Sequence, residues 1–198
     1  MFKMDDLLIQ SCINDYLDGV KVILPNVEDI NSIHIAMGEC SRYGNLECLK
    51  FLYDSGNGYG ALDGCMMMSS AAGMLNIVEY LMDLGVHETV LDNAYVEAAK
   101  NGKLNVVEYL QQKITYDITL GNACIHACDN RHIDVLKFII PFADIKMIIV
   151  TLFQFANKNN DYDTMLFLKL GMSSKFRDDV LLFAIENNLN EIVIILES

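Results

Sequence analysis

The chain has 198 residues, 53% of them hydrophobic, and its 27 acidic and 14 basic residues give a formal net charge of −13. This balance argues against binding to a nucleic-acid backbone, because such binding needs basic side chains to neutralise phosphates. It is compatible with a basic protein partner, or with a role in solubility alone. We expect neither a secretory leader nor a membrane span, because residues 1–6 lack a basic start before a long apolar core and polar residues interrupt the apolar region 138–156.

Two short helices joined by a tight reversal are predicted at the start of the chain. Residues 5–14 predict the first helix and residues 17–24 the second, which Pro25 closes. Gly19 lies where a later copy of the pattern has Val106, so we expect this second helix to be weaker than its successors.

The same pattern returns every 29 residues. Second helices are predicted to begin at Leu17, Leu46, Leu75, Leu104, Ile133 and Tyr162, with a weaker seventh copy at Asn190. The seventh copy comes one residue early, after an apparent one-residue deletion near Gly171. The reversals fall at Asp15, Gly44, Gly73, Gly102, Arg131, Asn160 and Asn188. Most of these residues are Gly, Asn or Asp, which best tolerate left-handed backbone. A fixed period over nearly the whole chain is typical of a repeat protein.

The fourth copy shows most clearly how each unit is built. Leu104, Val106, Val107 and Leu110 form an apolar stripe with helical spacing, whereas Asn105 is predicted to point away from it. We expect aspartates to cap the first helices at their N-termini, namely Asp5, Asp63, Asp92 and Asp178.

Segments 44–52, 73–81 and 102–110 resemble the second-helix motif of ankyrin repeats. The resemblance covers about residues 5–198, although the Thr-Pro-Leu-His opening is missing and the unit is shorter than the usual length of about 33 residues. It implies one all-α domain, 1–198, an ankyrin-type α-solenoid of about seven helix pairs. The units are roughly 1–31, 32–60, 61–89, 90–118, 119–147, 148–175 and 176–198. Short, Pro-poor units of this kind are similar to the ankyrin proteins of large DNA viruses; phages and intracellular parasites are similar sources.

The resemblance also implies a binding surface. In ankyrin proteins the concave face is formed by first-helix residues that are not used for stacking. Carried over to this chain, the partner-binding residues are Gln10, Glu39, Arg42, Tyr43, Met68, Glu97, Lys100, His126, Asp129, Phe155 and Lys158. Arg42, Tyr43, Met68 and Phe155 are of types enriched at interface centres. The alternative is that these side chains only cover the helices.

Cysteine and histidine residues suggest a metal site by type but not by position. Cys124 and Cys128 are predicted to lie on the buried face, His126 on the opposite side of the same helix, and His132 beyond the reversal. Four such ligands would not converge on zinc. All six cysteines fall at core positions, which indicates free thiols in a reducing compartment.

The glycine-rich stretch 56–60 lacks the context of a phosphate-binding loop and predicts a turn. We expect no cofactor and no metal.

Two apolar residues near the C-terminus break a row of charged residues. Leu166 and Ile194 stand where earlier units have Lys21, Lys50, Glu79, Glu108 and Lys137. An exposed apolar pair at the end of a solenoid predicts self-association, most simply as a homodimer through the last two units. The alternative is that the chain tolerates these exposed apolar side chains at its end without self-association.

Three functions remain open from the sequence. The first is a non-enzymatic module that binds and blocks a partner protein, a host factor if the chain is viral, in the cytosol. The second is an acidic decoy that imitates nucleic acid and occupies a basic site on a host defence protein. An enzyme ranks last, because no nucleophile, base and orienting acid share a site. Binding by a decoy should weaken steeply as salt rises, whereas an aromatic interface should be less sensitive.

Overall fold

The structure is a computed structural model that describes residues 3–114 and 116–197, with the side chain of Asn57 excepted. The outer limits of the domain, residues 1 and 198, lie outside the described residues. The described part forms fourteen α-helices, α1 to α14, in seven consecutive pairs, and it contains no β-strand. The prediction of an all-α solenoid is confirmed.

In each pair the first helix is usually the longer. The first helices are α1 Met4–Ile13, α3 Ile30–Tyr43, α5 Leu62–Ala72, α7 Glu88–Lys100, α9 Asp117–Asp129, α11 Ile145–Lys158 and α13 Ser174–Glu186. The second helices are α2 Leu17–Ile23, α4 Leu46–Leu52, α6 Leu75–Asp83, α8 Leu104–Leu110, α10 Ile133–Ile139, α12 Tyr162–Gly171 and α14 Asn190–Glu197. The seven second helices therefore begin at the predicted residues, six of them with the 29-residue period and α14 one residue early at Asn190. Single helical turns follow α2, α4, α8 and α10, at Leu24–Asn26, Tyr53–Asn57, Gln111–Lys113 and Ile140–Phe142.

First helices stack side by side along the solenoid, and the core runs between them and their second helices. Small residues recur at one stacking position, where Ala36, Cys65, Ala94 and Ala123 are all buried. Side chains of this size let neighbouring helices approach closely. The core is therefore continuous from unit to unit, as in other solenoids, in which each repeat contacts only its neighbours.

All seven predicted reversals have left-handed backbone. Their φ values lie between 52° at Asn160 and 82° at Gly73, and Arg131 adopts 62° despite its side chain. An asparagine before the reversal often caps the preceding helix. The side-chain amides of Asn14, Asn101, Asn130 and Asn187 each donate to the carbonyl four residues earlier. These bonds satisfy carbonyl groups that a helix C-terminus leaves without partners.

Asparagines also join neighbouring units. Asn76 Nδ2 donates to the Gly44 carbonyl at 3.2 Å, and Asn105 Nδ2 to the Gly73 carbonyl at 3.1 Å. Asn159 Nδ2 likewise donates to the Asp129 carbonyl at 2.7 Å. Asn105 is exposed, as expected, but it is not a passive surface residue, because it bonds the reversal of the preceding unit.

The predicted N-caps are wrong. Asp5 and Asp63 lie inside the first turns of α1 and α5, while Asp92 and Asp178 lie deeper, in α7 and α13. The side chains that cap first helices are instead those of Asp29, His87, Asp144 and Ser173. The helices α7 and α13 therefore begin about one turn before Asp92 and Asp178, whereas α1 and α5 begin one residue before Asp5 and Asp63.

This earlier start also affects the unit limits. The limits after residues 31, 89, 118, 147 and 175 fall inside first helices, whereas the limit at 60 precedes α5. The predicted limits thus lie two or three residues too late, although the first helices themselves nearly keep the period, since α7, α9, α11 and α13 begin at residues 88, 117, 145 and 174.

Candidate protein-binding surface

The residues predicted to bind a partner all lie on first helices, from α1 to α11. Their side chains form what we call the first-helix surface. Its exposed members are Gln10, Arg42, Tyr43, Lys100 and Lys158, and its half-buried members are Glu39, Met68, Glu97, His126, Asp129 and Phe155. The two predicted aromatic contacts differ, because Tyr43 is 51% exposed whereas Phe155 packs partly against the core.

The charges of this surface are balanced and paired. Glu39, Glu97 and Asp129 are matched by Arg42, Lys100 and Lys158, so the eleven predicted residues carry no net formal charge with His126 neutral. Ion pairs join Arg42 to Glu39 at 3.9 Å, Lys100 to Glu97 at 3.2 Å and Lys158 to Asp129 at 3.5 Å. The Lys158 ammonium also lies 5.3 Å from the centre of the Phe155 ring. The acidic excess of the chain therefore lies elsewhere.

Two shallow grooves meet at Met68, in the middle of the first-helix surface. One has a volume of about 400 Å³ and is lined by Arg42, Met67, Met68, Ala71, Ala72 and Glu97. The other, of about 390 Å³, includes Ile35, Gly38, Glu39, Gly64 and Met68. Both are mostly apolar, with charged residues of α3 and α7 at their edges.

Gly38 explains why Met68 lies low on this surface. A Cβ atom at residue 38 would be only 2.7 Å from Met68 Sδ. The thioether thus rests against bare backbone and is half-buried rather than projecting. An adaptable methionine over such a depression can change rotamer to fit an apolar partner group.

Some exposed apolar residues on the same first helices were not among the residues predicted to bind a partner. Ile35 is 53% exposed, Ile118 74% and Met147 81%. Ile35 lies one turn before Glu39, so applying the 29-residue period one turn earlier would have included that position.

The six cysteines are all free and buried. Burial raises the pKa of the Cys124 and Cys128 thiols to about 12, with a smaller contribution at Cys124 from the neighbouring Cys128. Such thiols stay protonated near neutral pH and are poor nucleophiles. Within residues 3–114 and 116–197, no three His, Cys, Asp or Glu side chains form a group that could hold a metal ion.

A second surface lies at the C-terminal end. A mostly apolar groove of about 540 Å³ runs between α12 and α14, and it contains both Leu166 and Ile194. These side chains are 55% and 67% exposed.

In the described part of the chain, no helix combines the length and apolar character needed to cross a bilayer.

Comparison with known families agrees with this architecture. Residues 65–149 match the family model described as ankyrin repeats, in three copies. The match spans α6 to α10 completely, together with parts of the helices on either side. No curated protein is similar enough to this chain to be matched. Residues 65–149 are therefore similar to ankyrin repeats, and they lie within a fold that is an all-α solenoid of the ankyrin type.

Proposed function

We propose that the chain is a non-enzymatic module that binds a partner protein on its first-helix surface and blocks that partner's other contacts. Ankyrin repeats are generally protein–protein interaction modules. The observation that carries the proposal is the apolar depression at Met68, which three successive units form together. Apolar contacts there would supply affinity, while the charged residues on both sides would orient the partner.

The charge distribution favours this proposal over an acidic decoy. A decoy for a basic site needs a continuous run of unpaired carboxylates on its binding surface. Here the carboxylates of the first-helix surface face lysine or arginine within 4 Å. The decoy function would require another surface of the chain.

We also propose a cytosolic setting, because a reducing compartment keeps buried thiols such as these six free. If the gene is viral, the partner is a host protein.

The test of partner binding uses a substitution that fills the depression without disturbing the fold. Ala71 lines the groove, and equivalent positions in other units carry Arg42, Lys100 and Lys158, so the helix accepts a long cation there. The assay is capture of proteins from a cell extract by the wild-type chain, at low and at high salt. We expect Ala71→Lys to abolish this capture at both salt concentrations. Tyr43→Ala/Phe155→Ala should weaken the same capture.

Two controls accompany this test. Gln112→Lys adds the same charge at an exposed residue outside the first-helix surface and should leave capture unchanged. Cys124→Ala/Cys128→Ala should also leave it unchanged, and loss in that variant alone would contradict the proposal and favour a metal site. Capture that disappears with salt in the wild type would favour the decoy.

A second candidate function is self-association, favoured by the exposed apolar groove at the C-terminal end. We propose that the last two units form a homodimer through Leu166 and Ile194. Sedimentation should show a wild-type dimer and a monomeric Leu166→Lys/Ile194→Glu variant. A wild-type chain that remains monomeric at high concentration would exclude this dimer.

A further inference from the structure

The groove between α12 and α14 has a shape and composition that differ from the rest of the surface. Met165 and Ile195 contribute to its lining, together with the exposed side chains of Leu166 and Ile194. Earlier second helices carry charged residues at the position of Leu166, and these can pair locally, as Lys50 does with Glu47 at 3.0 Å. The last two units replace that local pairing with an apolar strip.

Two opposite charges lie at diagonal corners of this groove. Lys169 stands in the last turn of α12, and Glu191 in the first turn of α14. Because second helices of stacked units run in the same direction, one charge lies near each end of the groove. Neither takes part in an ion pair with any other described residue. An occupant that matches the groove should bring an acidic group to one end and a basic group to the other.

We infer that this occupant is a second copy of the same groove, related by a two-fold axis that places each Lys169 over the Glu191 of the other copy. The inference rests on the self-association proposed above and adds its symmetry and its polar contacts. The axis lies in the interface, perpendicular to the line between Lys169 and Glu191 and through its midpoint. In that arrangement the apolar strips of Leu166 and Ile194 cross and cover each other.

Charge complementarity distinguishes this occupant from others. A two-fold interface uses the same patch twice, so one basic and one acidic corner suffice to form two ion pairs. It also closes at two copies, which limits the repulsion between chains that each carry −13. A head-to-tail contact would use a different surface on the second copy, which would have to supply its own acidic and basic groups for Lys169 and Glu191.

The symmetry gives a decisive experiment by analytical ultracentrifugation of the full chain. Lys169→Glu and Glu191→Lys should each weaken the dimer roughly tenfold or more, because each substitution brings like charges together twice. An equimolar mixture of the two variants should dimerise again as a heterodimer. In that heterodimer the Lys169→Glu copy supplies two acidic corners and the Glu191→Lys copy two basic corners, so both ion pairs form.

Two further variants complete the experiment. The double variant Lys169→Glu/Glu191→Lys exchanges the two charges within one copy, and it should therefore recover a homodimer. Lys175→Glu, at an exposed residue of α13 outside the groove, makes the same charge change as Lys169→Glu and should have little effect.

The outcomes separate the two proposals. If the wild type dimerises and both single variants dimerise as tightly, self-association stands and the Lys169–Glu191 contact is wrong. If the single variants are monomeric but their mixture does not recover, the contact is not two-fold. If the wild type is monomeric while Leu166→Lys/Ile194→Glu loses capture of another protein, the groove holds that protein instead and both proposals fail. Circular dichroism melts of each variant check that the fold is intact.

Discussion

At the scale of single residues, burial and contacts between units separate side chains that the repeat pattern treats alike. Leu104 and Leu110 belong to the same apolar stripe of α8, yet Leu110 is fully buried whereas Leu104 is only half-buried. Asn105 is exposed but bonds the preceding unit. The contribution of a side chain to the stability of the fold therefore depends on its three-dimensional contacts rather than on its residue type.

We expect Leu110→Ala to lower the free energy of unfolding by roughly 2–5 kcal/mol, because it leaves a cavity in a closed core. Leu104→Ala should cost about half as much, since part of that side chain is already hydrated. Asn105→Ala should cost about 0.5–1.5 kcal/mol through the lost hydrogen bond to Gly73. Urea unfolding measures all three. Equal costs for the two leucines would contradict the difference in their burial.

At the scale of elements, the reversal between the two helices of a unit has to adopt left-handed backbone and to leave room for the next unit. Gly102 has φ of 69°, and a Cβ atom there would lie 2.5 Å from His132 Nδ1 of the next unit. Asn160 has a similar φ, 52°, but already carries a Cβ atom. The glycine thus avoids the strain that a side chain bears in left-handed backbone, and it leaves room for the approach of the next second helix.

We expect Gly102→Ala to destabilise the chain more than Asn160→Ala does, although both put alanine at a left-handed position. Left-handed backbone costs alanine about 1–2 kcal/mol at either site, and the contact with His132 adds to it only at residue 102. Adding His132→Ala to Gly102→Ala should recover the additional loss. The measurement is a double-mutant cycle by denaturant unfolding, and strict additivity of the two substitutions would rule out the proposed contact.

At the scale of the whole molecule, the core is thicker in the middle than at the C-terminal end. The central helix α7 buries Leu91, Ala94, Tyr95, Ala98 and Ala99, whereas α13, of equal length, buries only Val180 and Ala184. In a solenoid, stability is approximately a sum of repeat terms and nearest-neighbour interfaces. The last unit has one neighbour and a thin interface, so it should open first.

We expect amide hydrogen exchange to show this gradient. Amides in α13 and α14 should exchange through openings of lower free energy than those in α7 and α8. The measurement belongs at concentrations below those at which the proposed dimer would form, and α1 at the other end gives an internal comparison. Uniform protection from α1 to α14 would mean that the chain opens as one cooperative unit.

The sequence by itself determined the fold class, the seven helix pairs, the start of every second helix and all seven left-handed reversals. These follow from local chemistry, because helical periodicity and tolerance of left-handed backbone depend on the residue and its near neighbours. The exact start of the first helices was not predicted, because the residues that cap them, such as Asp29 and His87, differ in type from unit to unit although each cap bond is local.

The same division holds for the surfaces. The repeat period placed the predicted residues on first helices, but it did not show that their charges pair, that Met68 lies over Gly38, or that Lys169 and Glu191 stand at opposite ends of an apolar groove. The pairs Glu39–Arg42 and Glu97–Lys100 lie three residues apart on one helix, so helical spacing alone could have indicated them. The Asp129–Lys158 pair, the contact of Met68 with Gly38 and the groove join different helices, so they depend on the distance and angle at which units stack.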